Sequence, residues 1–155
     1  MSEATYEARG RYFEEFQIGQ TIVTTGRTIT ESDIVSFAGL TADYNQIHTD
    51  AQYAAGEMFG ERVAHGLLIL SFAMGLAVQT GFLERTVLAF RELDWKFSLP
   101  TMIGDTIHAV IEITALKPMP RLGGGNISMK VAVLNQEDKV VNRGNWVVLA
   151  KSRLK

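Results

Sequence analysis

The chain contains no cysteine among its 155 residues. Disulfides, thiolate zinc sites, iron–sulfur clusters and cysteine nucleophiles are therefore excluded from its chemistry. It also lacks an excess of either charge: 15 Lys+Arg against 17 Asp+Glu give a formal net charge of -2. Nucleic-acid binding wants a surplus of Lys and Arg on one face, so nucleic acid is not the expected partner. Long hydrophobic runs are missing too. The longest, Leu67 to Val78, is interrupted by Ser71 and Gly75. It falls short of the roughly 20 apolar residues that cross a bilayer. The opening stretch MSEATYEARGRYFEEFQIGQ holds no apolar core with basic flanks, so no signal peptide is expected. These absences point to a soluble protein of the cytoplasm, with no membrane partner.

What remains is ordinary globular composition: 46% hydrophobic and 21% charged residues. A chain of this length buries roughly two-thirds of the surface it exposes when unfolded, so its core needs no staple. The expectation is one domain over residues 1–155, with the polar residues 1–11 as a loose arm.

Local patterns then divide the chain. The β-branched stretch Thr21 to Thr28 reads as one strand with an interior glycine. Thr30-Glu-Ser-Asp33 reads as a helix start, because Thr30 can cap and Asp33 stands where a capping box has its acid. Ile34, Phe37 and Ala38 share one helical face, and Gly39 is the expected stop. Residues 40–48, LTADYNQIH, lack periodicity and read as a polar loop. Thr49-Asp50 can cap a short helix over AQYAAGEMF. Val63 to Val78 is apolar on every side, so a helix here must be covered all round, by a sheet or by a partner subunit.

The remainder reads as strands over Thr86–Leu99, Asp105–Leu116, Asn126–Asn135 and Val140–Lys151. Ile107, Ala109, Ile111 and Ile113 alternate with their neighbours, as do Ile127, Met129, Val131 and Val133. Gly123-Gly124-Gly125 reads as a mobile hairpin loop. It lacks the helix and lysine of a phosphate loop. The expected fold class is α+β, an antiparallel sheet wrapped around the apolar helix. Its exposed edges favour pairing with a second copy, so a homodimer with a continuous sheet is expected.

Chemistry gathers in one place. The polar loop carries Asp43, Asn45 and His48, and His65-Gly66 stands at the mouth of the apolar helix. A carboxylate, an imidazole and a helix N-terminus exposed by glycine suit the movement of water beside a carbonyl. Imidazole titrates near 6.5, so it can take a proton at neutral pH. The carboxylate can hold the same water and carry a second proton. Backbone amides at the helix start can receive an enolate oxyanion.

The stretch FAGLTADYNQIHTDAQYAAGEMFGERVAHGLL resembles the signature of MaoC-like dehydratases, the (R)-specific enoyl-CoA hydratase group of the hotdog fold. Phe37, Asp43, Tyr44, Asn45, Gln46, Ile47, His48 and Ala54 follow one block of that pattern. Ala64-His65-Gly66 through Ser71 follows a second. Trp95-Lys96-Phe97, Pro100 and Ile103-Gly104-Asp105 are similar to a third, softer one.

The resemblance implies hydration of trans-2-enoyl-CoA, or dehydration of (R)-3-hydroxyacyl-CoA, with no metal or redox cofactor. By carry-over, Asp43 and His48 form the catalytic dyad around one water, His48 as base and Asp43 as acid toward Cα. The Gly66 N–H stabilises the thioester oxyanion, and Asn45 orients the loop or the dyad. Gln46 departs from the usual proline, and Met74 stands where some members have a small polar residue. The other reactive side chains read as structural: His65 as a hydrogen-bonded histidine at the helix start, Ser71 as a back-bonded hydroxyl, and His108 as a solvated strand residue. Trp95 and Trp146 read as core or interface aromatics. Arg62, Lys96 and Arg121 read equally as CoA-phosphate contacts or as solvated charges. Other functions compatible with the pattern are a hotdog thioesterase, a non-catalytic acyl-thioester-binding subunit, and the same hydration on acyl-carrier-protein thioesters.

Overall fold

The computed structural model describes residues 4–154. Its helices are α1 (Glu31–Thr41), α2 (Gln46–Thr49), α3 (Ala51–Ala55) and α4 (Gly66–Gln79). Its strands are β1 (Thr21–Val23), β2 (Arg27–Thr28), β3 (Val87–Phe97), β4 (Thr106–Met119), β5 (Gly124–Leu134) and β6 (Val140–Lys151). All pairings are antiparallel, in the order β1-β4-β5-β6-β3, with β2 also on β4. The fold class is α+β, as the sequence predicts.

The core lies between α4 and the inner face of the sheet. Ile107, Ala109, Ile111 and Ile113 of β4 are fully buried, as are Ile127, Met129, Val131 and Val133 of β5. This is the alternation visible in the sequence, and it fixes the register, because a slip by one residue would turn every one of these side chains outward. From α4, Leu68, Ile69, Ala73, Leu76 and Ala77 meet them. The opposite stripe of α4 stays open in a single chain, with Leu67 at 59% exposure and Ser71 and Val78 beside it. The sheet therefore covers only part of the all-round apolar helix.

Several boundaries differ from the sequence expectation, each for a local reason. Thr21–Thr28 is two strands, not one. Thr24 Oγ1 accepts the Ala109 N–H at 2.9 Å, so a side chain takes the place of a ladder carbonyl between β1 and β2. Gly39 does not stop α1. The helix runs on to Thr41 and ends at Ala42, which adopts a left-handed φ of 62°. Residues 40–48 are not all loop, since α2 begins at Gln46 under an Asn45 cap. Thr49 belongs to α2, and Asp50 alone caps α3, accepting from Gln52 N and Tyr53 N at 3.0 Å each. The α3 helix ends at Ala55, before Gly56.

Val63 and Ala64 are extended rather than helical, because Val63 bridges Met102 and Ala64 N–H donates to Thr101 O at 2.8 Å. The glycine run is not a loose hairpin. Gly124 and Gly125 lie inside β5, and only Gly123 takes the left-handed turn. A Cβ on Gly124 would fall 1.9 Å from Ala150 O, and one on Gly125 would fall 2.3 Å from the Phe13 ring. Close approach, not mobility, is what these two glycines serve.

Residues 4–11 form no regular element. They are tied down nonetheless: Arg11 N–H donates to Phe82 O at 2.9 Å. Arg9 and the Tyr6 hydroxyl both bond the Glu84 carboxylate.

Candidate active site

The site is built where the segment between α1 and α4 folds over the start of α4. The capping box forms as the sequence predicts: Asp33 N–H donates to Thr30 Oγ1 at 3.1 Å, and Thr30 N–H donates to Asp33 Oδ2 at 2.9 Å. It starts α1, which turns Phe37 inward. The left-handed Ala42 then swings the chain so that Asp43 follows at once. Asn45 Oδ1 accepts the Ile47 N–H at 3.3 Å and caps α2. Asn45 N–H donates to Asp43 Oδ1 at 3.2 Å, so one residue holds the helix that bears His48 and the carboxylate beside it. Gln46 opens α2, the one helical position where the family's proline would cost no hydrogen bond.

His48 is 7% exposed, and its Nδ1 lies 2.6 Å from Val63 O. A carbonyl only accepts, so Nδ1 carries the hydrogen and Nε2 keeps the lone pair. Burial pushes the His48 pKa below its ordinary 6.5, and the neighbouring His65 adds to this. The Val63 carbonyl and the Asp43 charge pull the other way.

Acid–base atoms of Asp43, His48 and His65 lie within 4.8 Å of one another. A histidine pair with a carboxylate is a donor set that suits zinc. The two rings stack at 3.8 Å with planes 25° apart, and Nδ1 of His48 and Nε2 of His65 are engaged with backbone carbonyls, which leaves one nitrogen on each ring.

Gly66 is the first residue of α4. Its N–H has no acceptor inside the helix and none elsewhere among the described residues. A Cβ here would fall 2.6 Å from the Phe97 ring, so glycine is required for Phe97 to close over the helix start. Below lies a cavity of about 570 Å³, lined by His48, Gly66, Leu67, Phe97, Thr101 and Asn142 among others. It is mostly apolar.

All four residues expected from sequence thus fall in one region. The acid–base atoms of Asp43 and His48 lie within 4.8 Å of each other, Gly66 lines the same cavity as His48 while Asp43 stands outside its lining, and Asn45 bonds Asp43 and caps α2. The remaining candidates are engaged elsewhere. Ser71 donates back to Leu67 O at 2.7 Å. Arg62 pairs with Glu31 at 2.7 Å. Trp95 stacks on the buried Trp146 with centroids 5.8 Å apart. Lys96 lies in an outer groove of the sheet with Lys130 and Arg143. Sequence reasoning missed Val63, which sets the tautomer of His48 through a backbone atom, and Phe97, the cavity wall. No residue-type signal marks a carbonyl's role. Phe97 was visible only as part of the Trp95-Lys96-Phe97 block.

Comparison with known proteins gives the same region a history. The model of the MaoC like domain matches residues 14–135. An (R)-specific enoyl-CoA hydratase from Rhodospirillum rubrum is 34% identical over 142 residues, covering 92% of this chain and 93% of that protein. Protein MaoC of Klebsiella aerogenes is 45% identical over 99 residues, or 63% of this chain. The chain spans only 29% of that longer protein.

Among solved structures, a monoamine oxidase regulatory protein from Archaeoglobus fulgidus superposes with a TM-score of 0.87 at 36% identity, covering 95% of this chain and 99% of that one. An (R)-hydratase from Pseudomonas aeruginosa gives 0.76 at 28% identity, covering 92% and 86%. A Mycobacterium tuberculosis protein with a double hotdog fold gives 0.80 at 19% identity, covering 95% and 46%, and bears on the fold alone. Proteins named as hydratases and a 3-hydroxybutyryl-CoA dehydratase are thus among those this chain is similar to. With the family model matched over most of its length and this architecture shared, the chain belongs to the MaoC-like domain family and has the hotdog fold.

Proposed function

We propose that the chain adds water to trans-2-enoyl-CoA thioesters, and removes it from (R)-3-hydroxyacyl-CoA, through an Asp43–His48 dyad that holds one water. The observation that carries this reading is the place of His48: its acid–base atom lies within 4.8 Å of that of Asp43, and it lines an apolar cavity together with Gly66. His48 Nε2 takes a proton from the water as the water oxygen bonds to Cβ of the enoyl group. The π-electron pair moves onto the thioester oxygen, and the Gly66 N–H donates to the enolate oxyanion there. The proton passes from His48 to the Asp43 carboxylate, which gives it to Cα as the thioester carbonyl reforms. Both groups are then back in their starting states. The net change is one water added, so the chemistry calls for no metal and no redox group.

The working unit in this reading is a cytoplasmic homodimer joined along β3, whose outer edge is unpaired among the described residues. The test follows the enoyl-thioester absorbance of crotonyl-CoA beside a free-thiol assay. The expected result is loss of the band without thiol release, ending at (R)-3-hydroxybutyryl-CoA. Thiol release would make the protein a thioesterase. Silence in both assays across a panel of acyl groups and carriers would leave a binding subunit.

A further inference from the structure

His65 lies outside the proposed dyad, yet it touches both members. It is 2% exposed and caps α4 through its backbone, its carbonyl accepting from Leu68 N and Ile69 N at 3.0 and 3.2 Å. The side chain does no capping. Instead the ring packs against two others. Phe37 meets it tilted, with centroids 4.9 Å apart, and His48 stacks on it at 3.8 Å. At its edge, Nε2 donates to the backbone carbonyl of Asp43 at 2.9 Å. The remaining nitrogen, Nδ1, is buried with no partner among the described residues. An apolar ring would fill the same space without leaving a polar atom unpaired. The histidine is explained by the one bond it does make, and that bond runs to the peptide of Asp43.

Among the described residues, the other bonds to the segment it grips come from its own stretch of chain. Asp43 and Asn45 are exposed, and Ala42 holds a left-handed φ that an alanine adopts only at a cost of roughly 1–2 kcal/mol. Such a segment keeps its conformation only when its surroundings over-determine it. Asp43 N–H to Thr41 Oγ1 at 3.2 Å and Tyr44 N–H to Ala42 O at 3.0 Å are contacts within the segment itself. With Asn45 N–H to Asp43 Oδ1 at 3.2 Å and Thr49 Oγ1–H to Tyr44 O at 3.1 Å, they tie the turn to α2 from its own stretch of chain. The His65 bond reaches the segment from α4, across 22 residues of sequence.

We propose that His65 is a positioning residue of the hydration reaction: its ring stacks on His48 while its Nε2 clamps the Asp43 peptide, and so it ties together the two groups that share the water. This rests on the hydro-lyase reading above. His65 transfers no proton and meets no substrate atom. Its bond sets Asp43, and its ring sets His48.

The test uses the full-length protein with crotonyl-CoA and the variants His65→Ala, His65→Phe and His65→Gln. His65→Ala loses both contacts, and kcat is expected to fall about 100-fold, the scale of a small misplacement of reacting groups. KM is expected to change by less than about twofold, because the cavity walls and the Gly66 amide are untouched. Phe restores the stacked ring and Gln restores a donor, so each recovers part of the lost kcat. Hydrogen exchange at the Tyr44 and Asn45 amides is expected to quicken in His65→Ala while β5 amides keep their wild-type rates. Should His65→Ala not fold, the Phe and Gln variants are read against wild type, both keeping the buried bulk. A folded Ala variant with wild-type kcat, or Phe and Gln variants no better than Ala, overturns the proposal. If wild type itself leaves crotonyl-CoA unchanged, exchange carries the test alone. Faster exchange at Tyr44 and Asn45 then upholds the clamp while the hydro-lyase reading falls, and unchanged exchange overturns the clamp.

Discussion

The His48 ring stays uncharged at neutral pH chiefly because burial opposes its charge. In the proposed reaction only the uncharged ring can take a proton from water. Its folded pKa lies below the ordinary 6.5, so kcat/KM is expected to be level from pH 8 to about 6.5 and to fall on an acid limb below that. The same shift adds stability above 6.5 that is lost as pH falls through the lowered folded value. A pH profile with its acid limb above 6.5 would contradict this account of His48. Asp43→Asn and His48→Ala are each expected to lower kcat by about 10²–10⁴-fold in folded protein, measured with crotonyl-CoA; near-full activity in either would remove the dyad. Ala42→Gly relieves a left-handed alanine, so the melting temperature is expected to rise, by up to about 1 kcal/mol of stability. An unchanged or lower melting temperature would mean that Ala42 is not strained. At this scale the pairing of Asp43 with His48 was legible because both residues and the Asn45 cap lie in one short stretch of sequence. The stacking of His65 on His48 was not, since 17 residues of chain return before the rings meet, and nothing in residue type announces a stack.

Elements were legible where a period repeats. Four long strands and the apolar helix follow from alternation and all-round hydrophobicity, and the sheet register follows from which residues point inward. The errors fall where a single side chain or a close approach overrides the pattern: Thr24 replacing a ladder carbonyl, and Gly124 and Gly125 admitting Ala150 and Phe13. The segment before β3 shows a third kind of override. Residues 4–11 have the composition of a free arm, yet Glu84 gathers the Tyr6 hydroxyl and the Arg9 amide and guanidinium. These donors hold the Glu84 carboxyl down to about 2, the Tyr6 hydroxyl being the largest cause. The anchor is therefore expected to be complete above the ordinary carboxylate value and to weaken as pH falls from about 4.5 toward 2. Glu84→Gln should loosen the arm at every pH: exchange at the Arg9 amide is expected to rise to the level of unstructured backbone, with β5 unaffected. Wild-type protection at Arg9 in that variant would mean the anchor lies in Arg11 and Phe82 instead.

The whole molecule presents an unfinished surface. The open stripe of α4 and the face of β3 border one groove, lined by Leu70, Met74, Val78, Leu88, Phe90 and Leu93 among others. Every one of the large apolar residues Val87, Leu88, Phe90, Leu93 and Phe97 on β3 is exposed. An edge strand of this length and character invites pairing, and a soluble monomer seldom leaves such a patch uncovered. A second copy placed edge to edge would extend the sheet through β3 and bring its own α4 stripe against the first. That is the cover which the all-round hydrophobicity of Val63–Val78 demands and the chain's own sheet supplies only in part. In sedimentation at micromolar concentration, the wild-type chain is expected at twice its 17.1 kDa mass. Its melting temperature is expected to rise with concentration, because association stabilises only the folded form. Leu93→Lys places a charge on a side chain now 47% exposed in one copy, so a single chain tolerates it and a covered interface does not. The variant is expected to sediment as a 17.1 kDa species with a melting temperature independent of concentration. A wild-type protein found at 17.1 kDa would leave the groove unoccupied by a second copy. A Leu93→Lys protein that still sediments as a dimer would move the interface away from β3.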